Sequence, residues 1–325
     1  METGVAPRGG GVVQGLLRRR TRAGGRTLLA DIAYHKTMYL LLVPGLLYYL
    51  IYHYWPMYGA VIAFKDFHIV RGILRSPWVG LKHFEYIFGL EKFGQVFTNT
   101  LWISLLRLVF GFPVPIIMSI LLNEVSKMGF KRAVQTIIYL PHFISWVIFA
   151  GMLVNLLSFD NGVVNNVLRA TIGRPIRFLT DPQVFRSTLV WTMIWKSYGF
   201  ATIVYLAALA GIDPQLYEAA IIDGAGRFQR IARITVPMIR ATIVVILILR
   251  VGNLMQAGFE QIFIMYHPGV YRVADIIDTY VYRIGLTEGR FSMAAAVGLF
   301  RSVINFTLLV TANYVARRFG ERGIY

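Results

Sequence analysis

The chain of 325 residues is 56% hydrophobic and 15% charged, with mean hydropathy +0.58, no cysteine and a formal net charge of +17. Charge this sparse, against roughly 25% in soluble domains, excludes an ordinary water-soluble fold and makes an all-α integral membrane protein the expectation. The lack of cysteine removes disulfides, thiol catalysis and Cys-based metal sites together.

Residues 1–33 are rich in glycine and arginine, including Arg18, Arg19, Arg20, Arg22 and Arg26. They read as a basic cytoplasmic tail beside anionic headgroups, ahead of a transmembrane domain at 34–325. A cleavable signal peptide does not fit, because the apolar run that follows is too long and no small-residue site closes it. Six apolar segments come next, at about 37–57, 98–122, 134–158, 187–211, 239–263 and 292–316, each near the roughly 20 residues a bilayer core requires. Tyr48, Tyr49, Tyr52, Tyr54 and Trp55 cluster at the end of the first as an interfacial belt. Between spans, Trp78 to Phe88 and Asp275 to Tyr282 read as short amphipathic helices at the outer interface.

Basic residues set the orientation. The N-terminal tail, Lys127, Lys131 and Arg132 after the second span, the arginines after the fourth, and Arg317, Arg318 and Arg322 share one side if there are six spans. By the positive-inside rule that side is the cytoplasm, with both termini there. The basic excess thus reports orientation, and no nucleic-acid partner is expected.

Residues 213–238 form a polar island between the fourth and fifth spans. Asp213 followed by Pro214 reads as an N-cap with proline in the first turn, opening a helix to about Ile222. Asp223-Gly224 should end it, since glycine supplies a left-handed or close-approach backbone. A second short helix would carry Arg227, Arg230 and Arg233 on one face, and Pro237-Met238 leads into the next apolar run. Together these make a helix-turn-helix too short and too polar to span a membrane.

The spaced set Glu218, Ala219, Ala220, Gly224 and Pro237 resembles the EAA loop of ABC-importer permeases. The resemblance implies a maltose-permease-like fold of six transmembrane helices in the bacterial inner membrane. It also implies that this loop docks as coupling helices on a cytoplasmic ATPase, with Glu218, Ala219, Ala220, Asp223, Gly224, Arg227 and Pro237 as the ATPase-coupling residues. The implied partners are a second homologous permease, an ATPase dimer, an extracytoplasmic solute-binding protein, an oligosaccharide and membrane lipid. Trp55-Pro56-Met57-Tyr58-Gly59, Ala63-Phe64-Lys65-Asp66, the run Gly252 to Gln261 and the run Ala274 to Tyr280 resemble the branch of carbohydrate permeases that handles complex oligosaccharides, polyuronates included.

No Walker A pattern, metal-spaced histidine pair or Gly-x-Ser-x-Gly elbow is present, so no catalysis, metal or cofactor is expected on this chain. ATP and Mg would be bound by the partner ATPase. His35, His53 and His142, near helix ends, read as interfacial packing. Arg107, Lys196, Arg250 and Arg301 each fall about ten residues into a span, near mid-depth. A cation there costs roughly 2.5–3.5 kcal/mol on insertion scales, so each should face a cavity or a partner. With Asn253 they are the candidate translocation path. The alternatives are carboxylates of a second membrane subunit, backbone carbonyls, or snorkelling along the stems. No acid matches them inside the spans, which would favour a carboxylated sugar. Two functional rivals remain: an importer permease for another solute class, and an ion-coupled secondary transporter. The latter predicts interrupted helices in corresponding halves and an acidic relay at mid-depth.

Overall fold

The computed structural model describes residues 34–320 and 323, and the basic tail at 1–33 lies outside the described residues. The chain divides into two compact units, 1–59 and 60–325. In the first, helix α1 (Lys36–Tyr49) carries Pro44 and continues through a π turn, Leu50–Tyr54, into Trp55–Met57. Tilted ring contacts of 5.3 Å (Tyr48–Tyr52) and 5.1 Å (Tyr49–His53) run along this helical stretch.

The second unit is helical, and among its described residues extended pairing is limited to one antiparallel bridge, Lys65–Trp78. Helix α2 (Glu91–Gly111) runs on into α3 (Pro113–Asn123) as one 33-residue span. Pro113 and Pro115 are tolerated because they fall in the first turn of α3, where Pro N–H groups are not needed. Helices α4 (Met128–Phe143) and α5 (Trp146–Leu156) meet at a bend of 102°. Then come α6 (Pro182–Ala210), α7 (Pro214–Ile222), α8 (Arg227–Arg230, prolonged by a π turn and Val236–Met238), α9 (Arg240–Gly252), α10 (Phe259–Met265), α11 (Ile277–Tyr282) and α12 (Phe291–Arg318). Short helices Lys82–Phe88 and Val163–Ile172 lie in the longer connections.

Among the described residues, three helical segments, Glu91–Asn123, Pro182–Ala210 and Phe291–Arg318, are long and apolar enough to cross a membrane, or up to five if each of two bent pairs is one span. Lys36–Met57 is not among them, and its five tyrosines and His53 dilute its apolar character.

Two of the expected continuous helices are broken. The segment expected at 134–158 turns at Ile144 and Ser145, both extended, after Pro141; Ser145 Oγ caps the new helix by accepting the Ile148 N–H at 3.3 Å. The segment expected at 239–263 ends at Gly252, passes through turns, and restarts at Phe259 behind Gly258 (φ +89°). In a bilayer such backbone must be satisfied from within the protein. Asn305 of α12 does this at the second break, its Oδ1 accepting the Met255 N–H at 3.0 Å.

Two buried clusters hold the unit together. Ile103, Phe149, Phe185, Leu189 and Ile262 form one, joining α2, α5, α6 and α10. Val96, Met255, Ile277, Ala296 and Val297 belong to the other, between α2, α11 and α12. Polar links cross the same layers: Arg186 donates to Asn99 Oδ1 at 2.6 Å, and the Ile277 N–H donates to Thr100 Oγ1 at 2.9 Å. Asp275, fully buried, accepts from Arg283 at 2.6 Å and Thr279 at 2.8 Å and pairs with Lys92 at 3.2 Å. Burial lowers the Arg283 guanidinium, but the Asp275 hydrogen bond and charge outweigh it and leave the group above its ordinary range.

Candidate functional site: a polar loop and four candidate path cations

The island at 213–238 folds as two short helices with a tight turn. Asp213 Oδ1 accepts the Gln215 N–H at 3.0 Å, and Pro214 occupies the first turn. At the other end the Ala225 N–H donates to Ala220 at 2.8 Å and the Gly224 N–H to Ile221 at 3.0 Å. That pair of bonds, with Gly224 at φ +77°, is a Schellman ending. A Cβ at Gly224 would meet open space, so the requirement for glycine is the left-handed backbone and not a close approach.

Gln229 Oε1 caps the second helix by accepting the Gly226 N–H at 2.9 Å. From Ile231 the helix widens into a π turn. Arg227 and Arg233 are exposed while Arg230 is half-buried. Tyr217 and Thr235 join the two helices through their hydroxyls at 3.0 Å, and Leu209, Ile212 and Ile239 pack beneath. Above this base Glu218, Ala219, Asp223, Arg227 and Pro237 are exposed and Ala220 is half-buried. Ile222 is 85% exposed and Phe228 86%, an apolar tip on a polar loop.

The four cations sit in four different environments. Arg107 donates to Gln261 Oε1 at 2.5 Å, and Gln261 in turn donates to Leu189 O at 2.9 Å and Thr192 Oγ1 at 2.7 Å. Gly258 makes room for it, since a Cβ there would collide with the guanidinium, and Arg107 Nε is buried without a partner. Lys196, 5% exposed, donates to the carbonyls of Pro141 (3.2 Å), His142 (3.0 Å) and Ile144 (2.6 Å), which are the free acceptors at the α4–α5 break. Trp146 and Phe149 place their rings within 5.2 and 5.6 Å of the ammonium. Gly199, one turn on, lets the two helices approach, for a Cβ there would run into Ile138 O.

Arg301 is ion-paired with Asp278 of α11, an acid from the connection between the expected fifth and sixth spans. Arg250 alone among the four has an exposed side chain. One turn further on, Asn253 donates to Leu249 O at 3.0 Å and accepts from Gln256 at 3.2 Å.

Gln261, Gly258 and Asp278 complete these arrangements and were not singled out from the sequence as partners. Gly258 and Gln261 lie in the run Gly252 to Gln261, yet Gln261 is 154 positions from Arg107, so nothing local links them.

The profile of the binding-protein-dependent transport system inner membrane component matches residues 111–321, and the chain belongs to that family of transport permeases. Among its relatives, Protein LplB of Bacillus subtilis is 46% identical over 94% of this chain and 96% of its own length. The polygalacturonan/rhamnogalacturonan transport system permease protein YteP of the same organism is 45% identical over 92% and 94%. A bacterial ABC transporter that imports the acidic polysaccharide alginate superposes with a TM-score of 0.83 at 45% identity, covering 90% of this chain and 98% of the matched one. The bacterial alginate transporter in complex with a periplasmic protein bound to alginate pentasaccharide gives 0.85 at 44%, over 92% and 100%.

Proposed function

We propose that this chain is a permease subunit of an ABC importer for acidic oligosaccharides, working by ATP-driven alternating access. The observation that carries it is identity of 44–46% across at least nine-tenths of the chain to a polygalacturonan/rhamnogalacturonan permease, to LplB and to the alginate importer. In this reading Lys36–Met57, the three long segments, the bent pair Met128–Leu156 and the broken pair Arg240–Met265 make six spans, with both termini cytoplasmic. A second permease, an ATPase dimer carrying ATP and Mg, and an external solute-binding protein complete the importer.

The loop 213–238 would transmit ATPase closure. Its apolar tip, Ile222 and Phe228, suits a hydrophobic cleft, and the exposed Glu218, Asp223 and Arg227 suit a polar rim. The rival ion-coupled carrier predicted interrupted helices, and two breaks are present. They are satisfied by Lys196 and Asn305, however, which ties both breaks to packing inside the chain; Glu260, just past the second break, is a carboxylate within electrostatic reach of Lys196.

Charge selection in the path falls on Arg250, since Arg107, Lys196 and Arg301 are engaged inside the chain. Replacing Arg250 by glutamine should cut uptake of a galacturonate oligosaccharide by about tenfold, about 1.4 kcal/mol, while a neutral oligosaccharide changes little. Equal loss for both substrates would remove charge reading from this position.

A further inference from the structure

A cavity of about 730 Å³ opens among α10, α11 and α12, lined by Gln256, Phe259, Asp278, Tyr282, Phe291 and Arg301, among others. Its volume lies within the range of roughly 300–1,000 Å³ that small-molecule sites occupy. Two features of its wall are chemically specific. The Arg301–Asp278 pair is not sealed away: the side chains keep 27% and 18% exposure, and Arg301 Nε is buried with no acceptor. On the same wall Phe259 and Tyr282 hold their rings 5.8 Å apart, and Phe263 braces them from behind at 5.2 and 4.7 Å.

We infer that this cavity is a sugar subsite that reads pyranose hydroxyls and ring faces and is indifferent to the sugar's carboxylate. The charges of Asp278 and Arg301 cancel, so a carboxylate entering the cavity gains little from Arg301 and meets Asp278. A hydroxyl is different, because it donates to the carboxylate and accepts from the guanidinium at once. Gln256, exposed at the cavity, adds an amide with both a donor and an acceptor. Aromatic faces supply the apolar surface against which the C–H face of a pyranose ring packs.

The site therefore suits any hexose unit of a chain, neutral or acidic, and leaves charge discrimination to Arg250. This rests on the oligosaccharide-permease reading. It also predicts what happens when the compensation is removed. Asp278→Asn leaves Arg301 uncompensated, and the subsite should then favour a carboxylated sugar.

The test uses the whole importer in lipid nanodiscs, with a galacturonate trisaccharide and its carboxyl-reduced neutral counterpart as probes. Binding of each is measured directly by calorimetry, and uptake is measured in vesicles. Gln256→Leu and Phe259→Ala should weaken both probes by about threefold or more and by similar factors. Asp278→Asn should raise the affinity ratio of acidic over neutral probe by about threefold or more. If Asp278→Asn does not assemble, Gln256→Leu, at an exposed turn, still decides the matter. Unchanged binding of both probes in the assembled variants, with wild-type uptake, would overturn the subsite and leave the permease reading intact. A wild-type importer that neither binds nor moves either probe would overturn the substrate reading, and the subsite with it.

Discussion

Removing the ammonium of Lys196 while keeping its apolar stem, as Lys196→Met does, strips three hydrogen bonds from the α4–α5 break at once. The acceptors are Pro141, His142 and Ile144, at 2.6–3.2 Å, in a region where no intrahelical N–H can replace the donor. Interhelical hydrogen bonds in membranes average about 0.6 kcal/mol and reach about 1.7 kcal/mol. Three of them together give about 2–5 kcal/mol, and the loss of the contacts to Trp146 and Phe149 adds to it. The assay is thermal unfolding of the purified importer in nanodiscs together with amide hydrogen exchange at residues 144–147. The variant should unfold several degrees lower, since about 1 kcal/mol shifts the midpoint by about 2–4 °C in chains of this order. Exchange at the break should quicken selectively, and uptake should fall only in proportion to assembled complex. Full stability with unaltered exchange would refute the clamp. So would full assembly with uptake abolished, which would place Lys196 in the path itself.

The loop at 213–238 gives two further predictions. Because Gly224 needs its left-handed backbone and has open space around it, Gly224→Val should cost about 1–2 kcal/mol and uncouple ATP hydrolysis from uptake. Gly224→Asp should be milder, since aspartate visits that conformation more readily; the stimulated ATPase rate and uptake, measured together, rank the two. The chain has no native cysteine, and a Cβ at the exposed Gly226 meets nothing within 4 Å. A single Gly226→Cys should therefore be refractory to an impermeant thiol reagent added outside intact cells and reactive in inside-out vesicles.

Much of the architecture was legible because a bilayer demands long apolar runs and because caps and turns are local. The helix at Pro182–Ala210, the one at Phe291–Arg318, the Asp213–Pro214 start and the Gly224 stop all follow from residues adjacent in sequence. The breaks at Ile144–Ser145 and at 253–258 were not legible, because a hydropathy window averages over them. Their stability comes from Lys196 and Asn305, 52 and 50 positions distant from the groups they satisfy. The same distance hid the partners of the cations. Spacing alone placed Arg107, Lys196, Arg250 and Arg301 at similar depth, but only the fold separates a clamp, a buried Gln-bonded guanidinium and an ion pair from the exposed Arg250.

The most direct test of the importer reading is uptake of a galacturonate oligosaccharide into vesicles holding this chain with its second permease and ATPase, in the presence of the loaded solute-binding protein. The account predicts accumulation that requires both ATP inside and the binding protein outside, that persists when ion gradients are collapsed, and that is lost in Gly224→Val. Accumulation driven by an ion gradient without ATP would contradict it.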